Sequence, residues 1–144
     1  MATVAAVCTS DIKGIQKTPV DSITVKEDWG IEGDAHAGHW HRQVSLLSKQ
    51  SIDAFKSRGA KVTDGAFGEN IIVDGINPKA YPLGTKFVSG DVVLELTQIG
   101  KECHSHCAIY KQMGECIMPH EGVFTKVLHG GVIKPGDQIE VVEE

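Results

Sequence analysis

The fold class follows from a turn and the strand after it, Ser89-Gly90-Asp91-Val92-Val93-Leu94-Glu95-Leu96. After the Gly-Asp turn, Val92, Leu94 and Leu96 fall on one face of an extended chain. A similar pattern, a Gly-Asp pair followed by alternating apolar residues, occurs near the C-terminus in Pro135-Gly136-Asp137-Gln138-Ile139-Glu140-Val141-Val142. Both segments predict a strand that begins at a tight turn and buries one of its faces.

Short strand patterns recur along the rest of the chain. The clearest helix pattern covers residues 48–58, where Ile52 and Phe55 are three residues apart and Gly59 follows. Seven or more short strands with one or two short helices predict a mostly β domain, a small barrel formed by residues 1–144. We predict the strands at residues 3–9, 22–26, 43–47, 69–73, 85–88, 92–99, 123–128 and 137–142.

Composition narrows the functional classes. The 144 residues have a formal net charge of −5 and a sequence pI of about 5.8, which argues against a general nucleic-acid-binding protein. There is no run of about 18 consecutive apolar residues, so we expect no membrane span. The N-terminus has no basic segment followed by a long apolar run, so we expect a cytoplasmic protein. Four cysteines in that compartment are more typical of thiols or ligands than of structural disulfides.

The densest chemistry lies in residues 100–122. This segment contains three of the four cysteines and three of the seven histidines. Cys103 follows Lys101 and precedes His104, and the segment after it has a pattern compatible with one or two helical turns. Neighbouring cations and a helix N-terminus both favour a thiolate, which accepts sulfur from a persulfide or binds a soft metal.

Three other interpretations of this segment stay open. Cys103 and Cys107 are four residues apart and, with nearby histidines, are compatible with a zinc site, although structural zinc sites usually have two well-separated chelating pairs. A disulfide between the two requires a non-helical backbone, because Cβ atoms four residues apart on a helix are too distant. Finally, a cysteine is often only a small buried apolar residue. This interpretation stays open for Cys116, and it is the one that we prefer for Cys8 in the first predicted strand.

The chain resembles the MOSC domain, named for the C-terminal part of molybdenum-cofactor sulfurases. The resemblance extends over nearly the whole chain, and its motifs occur in the family's order and spacing. They are Gly33-Asp34-Ala35-His36-Ala37-Gly38 with Arg42-Gln43-Val44-Ser45-Leu46-Leu47, Gly65-Ala66-Phe67-Gly68-Glu69-Asn70-Ile71, Leu83-Gly84-Thr85 with Gly90-Asp91, Gly100-Lys101-Glu102-Cys103-His104, and Gly122-Val123-Phe124 with Gly130-Gly131 and Gly136-Asp137.

The resemblance implies a β-rich barrel with a working cysteine in a cleft. In the family, that cysteine is thought to carry sulfur as a persulfide or to bind molybdenum in a pterin cofactor. The resemblance implies that Cys103 has this role, as catalytic thiol and metal ligand. Cys107 is the alternative. Many members have an Arg-x-Pro-Cys pattern before the cysteine, whereas this chain has Gly-Lys-Glu-Cys. Pyridoxal phosphate is expected on a partner cysteine desulfurase. The expected partners are this desulfurase or proteins of molybdenum-cofactor biosynthesis.

The resemblance also suggests which residues surround the cofactor, the molybdenum-bearing molybdopterin. His36 and Arg42 are candidates for a cationic wall at the pterin phosphate; alternatively, Arg42 pairs with Asp34 and His36 caps the loop. Glu69 and Asn70 either offer hydrogen bonds to a ligand or satisfy the amides of a tight turn. The predicted cofactor-binding set is His36, Arg42, Glu69, Asn70, Lys101 and His104.

We therefore expect a sulfur carrier or molybdenum-cofactor-binding protein with sulfurtransferase-like chemistry at Cys103. Whether it turns over a substrate of its own is left open by the sequence. One alternative is a molybdenum-dependent reductase component acting on N-hydroxylated compounds, with a separate electron donor. Another is a zinc-stabilised interaction module.

Overall fold

The computed structural model describes residues 2–10, 17–34, 37–40, 43–57, 59, 65, 69–99 and 122–142. In this part of the chain, 51% of residues lie in strands and 12% in helices, which confirms the predicted mostly β class. An eight-stranded sheet curls into a half-barrel, and a three-stranded sheet accompanies it. The strands are β1 (Thr3–Thr9), β2 (Thr18–Val20), β3 (Ile23–Lys26), β4 (Gly30–Ile31), β5 (Val44–Ser48), β6 (Ile71–Asp74), β7 (Lys86–Ser89), β8 (Val92–Ile99), β9 (Val123–His129), β10 (Gly131–Ile133) and β11 (Glu140–Val142).

The large sheet has the strand order β11-β7-β8-β9-β5-β6-β1-β2, and the small sheet has the order β10-β3-β4. All described pairs are antiparallel except β5 with β6. Two parallel neighbours need a crossover connection, and α1 (Lys49–Ser57) lies in it. A 3-10 helix (Pro78–Ala80) lies between β6 and β7.

Both faces of the central strands are buried. Leu46 and Ile71 are register partners in the main apolar cluster, together with residues of most other strands. Leu47 and Ile72, the next pair, point to the opposite face, where α1 packs on β5 and β6 with Ile52 and Phe55 buried. Every residue of β5 is therefore buried, as expected for a strand covered on both sides.

The predicted helix is confirmed within a residue at each end. It begins after Ser48, whose hydroxyl donates to Gln50 Oε1 at 2.9 Å, and Gly59 beyond it has φ +103°. The Gly59 amide donates to the carbonyl of Lys56 at 3.0 Å, as a glycine after a helix commonly does. No helix in the described ranges is long and apolar enough to cross a membrane.

Candidate functional site

The structure describes two of the predicted site residues, Glu69 and Asn70, and both are fully buried. The assignment of all the predicted residues, including Glu69 and Asn70, to a thiol or cofactor site stays a prediction. Those that lie outside the described residues are His36, Arg42, Lys101, Cys103, His104 and Cys107.

Asn70 joins three neighbouring strands just before β6. Its side-chain Oδ1 accepts from the backbone N–H of Ser45 at 3.0 Å and from the Ser45 hydroxyl at 3.1 Å. Its Nδ2 donates to the carbonyl of Cys8 at 3.1 Å. The main chain adds a bond from Cys8 N–H to the Asn70 carbonyl at 2.7 Å. The side chain of Asn70 therefore satisfies polar groups of Ser45 in β5 and Cys8 in β1.

Glu69 lies beside a close approach of two backbone segments. Its carboxylate accepts from the N–H of Gly65 at 3.2 Å, and the Gly65 carbonyl accepts from the N–H of Lys17 at 2.9 Å. A Cβ on Gly65 would come within 2.2 Å of the Lys17 carbonyl oxygen, and its φ of +91° also favours glycine. The glycine therefore allows the segment before β6 to approach the one before β2.

Lys17 and Asp34 form an ion pair inside the protein. Lys17 Nζ lies 2.7 Å from Asp34 Oδ1, and the side chains are 1% and 0% exposed. The backbone N–H of Ser10 donates to the same carboxylate oxygen at 3.1 Å. Asp34 belongs to the Gly-Asp-Ala-His motif, so the ion pair anchors the start of the histidine-rich loop to the segments that flank β1 and β2.

Gln43 anchors the other end of the same loop. Its buried Nε2 donates to the Gly38 carbonyl at 2.9 Å and to Asp28 Oδ1 at 3.1 Å, while its Oε1 accepts from Val127 N–H at 2.9 Å. Gln43 thus fixes the loop to β9 immediately after Arg42 in the sequence.

The surface next to Gln43 has a charged cluster around Asp28. The carboxylate lies 3.5 Å from His39 Nδ1 and 3.6 Å from Lys126 Nζ, and His39 packs edge-on against Trp29. The side-chain hydrogen bond from Gln43 is the main cause that lowers the pKa of Asp28 from its ordinary value. Desolvation opposes this effect, and Lys126 and His39 add smaller contributions that lower the pKa.

The strand register shows where the cysteine segment joins the sheet. Ile99, the last residue of β8, is the register partner of Val123, the first residue of β9. The two ends of the connection that contains Cys103 are therefore held side by side in the large sheet. Cys8, in contrast, is fully buried within β1, which confirms its predicted buried position.

The buried hydrogen bonds and the ion pair described above form a polar framework, made by Lys17, Asp34, Gln43, Ser45, Glu69 and Asn70. The sequence analysis assigned no role to three of these residues. Gln43 and Ser45 lie in a motif that carries the resemblance, but their partners are far away along the chain. Lys17 lies in no motif, and only the folded chain shows its pairing with Asp34. Within the described residues, no group of three or more His, Cys, Asp or Glu side chains is placed to hold a metal ion.

Comparison with models of protein families shows to which family this chain belongs. The model of the MOSC domain matches residues 33–140, three quarters of the chain. This chain belongs to the MOSC domain family. The match begins at the Gly-Asp-Ala-His motif and includes the segment with Cys103 and Cys107. The expected family is thus confirmed, and the family is associated with binding of the molybdenum cofactor.

Solved structures agree with this MOSC fold. YuaD from Bacillus subtilis superposes with a TM-score of 0.81 at 19% identity, covering 98% of this chain and 96% of that one. YiiM from Geobacillus stearothermophilus gives 0.74 at 23% identity, covering 99% of this chain and 76% of that one. YiiM from Escherichia coli gives 0.70 at 18% identity, with coverages of 100% and 71%. At such identities the likeness shows the fold alone, and no curated protein matches the chain significantly.

Proposed function

We propose that this MOSC domain is a sulfur carrier that accepts sulfur on Cys103 from a cysteine desulfurase. It delivers the sulfur for maturation of the molybdenum cofactor or another metal–sulfur centre. The observation that carries the proposal is the family match, which runs from residue 33 to residue 140 and includes Cys103 with the motif around it.

The transfer step is a thiol exchange that needs no oxidant. The Cys103 thiolate attacks the outer sulfur of the donor's persulfide, so that one S–S bond forms while the donor's S–S bond breaks. The donor cysteine leaves as a thiolate, and Cys103 becomes a persulfide. Pyridoxal phosphate serves the donor, where the sulfur is removed from free cysteine, and is not required on this chain.

The residues beside Cys103 favour its ionised form. Lys101 and His104 are its cationic neighbours in the sequence, and a nearby positive charge lowers the pKa of a thiol. Cys107 lies four residues away and is the alternative working thiol. A cytoplasmic location, as the sequence suggests, keeps both thiols reduced.

Support for this proposal comes from buried polar contacts that anchor both ends of the loop containing His36 and Arg42. The Lys17–Asp34 pair fixes the loop two residues before His36, and Gln43 fixes it one residue after Arg42. Asn70 holds the next motif against β1 and β5, and Glu69 accepts from the Gly65 N–H within that motif. In this account Glu69 and Asn70 are positioning residues, and His36 and Arg42 form the cationic wall for an anionic group.

The same thiol is suited to the family's cofactor. Thiolates are strong ligands for soft metals, so Cys103 would bind the molybdenum while His36 and Arg42 meet the pterin phosphate. When bound, the cofactor supplies a metal centre for sulfur or oxygen transfer. Lys101 and His104 would then provide hydrogen bonds and positive charge beside the ligand sulfur.

Intact mass spectrometry after incubation with a cysteine desulfurase and cysteine tests the proposal. We expect the mass of one sulfur atom to be added to the wild type and to Cys107→Ser, and to be absent in Cys103→Ser. Serine is similar in size but ionises far less, so the fold is expected to survive. Addition that persists in Cys103→Ser but is lost in Cys107→Ser would reverse the assignment. Addition that neither change affects would reject the carrier proposal.

Metal analysis of the purified protein separates the other functions. Stoichiometric molybdenum together with no sulfur addition would favour the reductase component. Stoichiometric zinc that is lost in Cys103→Ser would favour the zinc-stabilised module. The carrier proposal predicts sulfur addition to the metal-free protein.

A further inference from the structure

The C-terminal segment of residues 136–142 is bonded to two strands that are far apart in the large sheet. Its first half, residues 136–139, runs beside the start of β1. The N–H of Val4 donates to the Asp137 carbonyl, and the N–H of Gly136 donates to the Val4 carbonyl, both at 2.8 Å. The next three residues are β11, which pairs with β7. We call residues 136–142 the closing strap, because β1 and β7 lie near opposite ends of the strand order.

The start of β1 can accept the closing strap because β2 pairs only with the end of that strand. The β2 pairing covers Val7–Thr9, whereas the strap bonds to Ala2 and Val4 and pairs with Thr3. On its other side, β1 pairs with β6. The first half of the strap is therefore held by a strand that is itself fixed within the sheet.

Buried contacts hold this first half in place. Ile139 is 1% exposed and belongs to the main apolar cluster, and its N–H donates to the Ala2 carbonyl at 3.0 Å. The Gln138 carbonyl accepts from the hydroxyl of Ser89, the last residue of β7, at 2.8 Å. Residues 136–139 are thus anchored by both backbone bonds and a core side chain.

The second half of the closing strap, β11, has a much smaller buried surface. Glu140 and Val142 are exposed, and Val141 is only partly buried against the main cluster. Among the described pairs, β11 pairs with β7 alone, over three residues. Segments with few buried apolar contacts open locally at a lower free-energy cost than the core does.

We propose that the closing strap is a two-part device, in which β11 detaches from β7 and reattaches while residues 136–139 stay bonded to β1. The large sheet then opens and closes along the β7–β11 pairing without global unfolding. While β11 is detached, the backbone of β7 becomes an accessible sheet edge. The bond from Ser89 to Gln138 sets the limit of the opening. The proposal concerns the fold and does not depend on the sulfur-carrier function.

Native-state hydrogen exchange tests the proposal in the intact chain, followed by NMR at urea concentrations below the unfolding transition. The amides that bond between β7 and β11 should exchange about tenfold or more faster than those of Val4 and Ile139, with little dependence on urea. The amides of Val4 and Ile139 should exchange through global unfolding, at rates that rise steeply with urea. Equal rates with equal urea dependence in the two groups would overturn the proposal.

Ile139→Val separates local from global opening. It removes a core methylene from the anchored half and so weakens the closed and the detached states equally. We expect exchange at Val4 and at residue 139 to become about threefold faster or more, while exchange between β7 and β11 stays unchanged. Equal acceleration of both groups, or of neither, would contradict the two-part device.

Two matched variants on opposite faces of β11 complete the test. Val141→Thr places a hydroxyl against the main cluster, so we expect it to speed exchange between β7 and β11. Val142→Thr makes the same chemical change at an exposed side chain and should leave that exchange at the wild-type rate. An unchanged rate in Val141→Thr, or an equal increase in both variants, would show that packing of β11 does not control the opening.

Discussion

Asn70 illustrates how a single buried amide can specify the junction of three strands. Its Oδ1 has two donors in Ser45, and its Nδ2 has an acceptor in the carbonyl of Cys8. Asn70→Asp would replace the donor by a carboxylate oxygen facing that carbonyl, in a fully buried position. We expect the free energy of unfolding to fall by about 2–4 kcal/mol, measured by urea denaturation.

Asn77→Asp is the matched control for this change. The Asn77 Oδ1 accepts from the N–H of Lys79 at 3.3 Å, and an aspartate keeps that acceptor in a half-buried position. We expect a change within about 0.5 kcal/mol. Similar unfolding free energies for the two variants would show that the donor of Asn70 is unimportant.

Asp28 provides a prediction about pH. Because the hydrogen bond from Gln43 lowers its pKa, the carboxyl should titrate below the ordinary aspartate value in carbon-detected NMR. Since the folded pKa lies below the unfolded one, Asp28 stabilises the fold above the unfolded pKa, and this contribution disappears as pH falls through the folded pKa.

Two variants rank the causes of this shift. Gln43→Leu should raise the pKa of Asp28 more than His39→Gln does, because the bond from Gln43 is the largest contribution and those of His39 are among the smallest. An equal or larger effect of His39→Gln would contradict this ranking.

The sequence motifs predicted Glu69 and Asn70 as site residues but did not predict their contacts. Asn70 bonds to residues 25 and 62 positions away, and Gln43 bonds to a strand 84 positions away. A single sequence has no pattern that reports such separations. The polar framework therefore had to come from the structure, since the sequence named Glu69 and Asn70 only as candidate site residues.

At the scale of elements, long regular patterns were predicted well and short irregular ones were not. The boundaries of β1 and β8 agree with the prediction at both ends, because seven or eight residues give a clear strand pattern. The strands β2, β4 and β10 were missed. They contain only two or three residues each, and glycine or proline occurs in all of them.

The close approach of two segments at Gly65 gives a prediction at this scale. Gly65→Ala places a Cβ within 2.2 Å of the Lys17 carbonyl oxygen at a φ of +91°, so the two backbones must separate. We expect a loss of about 2 kcal/mol or more in thermal or urea unfolding. Gly59→Ala is the control, since its φ is +103° but nothing lies within 4 Å of the added Cβ.

The control should cost only about 1 kcal/mol, which is the strain of a left-handed alanine. The additional loss of unfolding free energy in Gly65→Ala then measures the crowding between Gly65 and the backbone of Lys17. If the two variants lose equal stability, the close approach contributes nothing beyond backbone conformation.

For the whole molecule, composition and strand patterns were sufficient for the mostly β class but not for the strand order. The sheet places β5 between β6, its parallel neighbour after α1, and β9, which comes much later in the chain. This order places Asn70, just before β6, between Ser45 of β5 and Cys8 of β1. Neither periodicity nor the family resemblance predicted this strand order, since the resemblance implied only a β-rich barrel with a cysteine in a cleft.

The proposed sulfur-carrier function depends on which residue holds the sulfur after transfer. The most direct measurement treats the wild-type protein with a cysteine desulfurase and cysteine, traps thiols and persulfides with iodoacetamide, and fragments the tryptic peptide 102–111. We predict that the additional sulfur is on Cys103 and that Cys107 is alkylated as an ordinary thiol. Additional sulfur on Cys107, or on neither residue, would contradict the account.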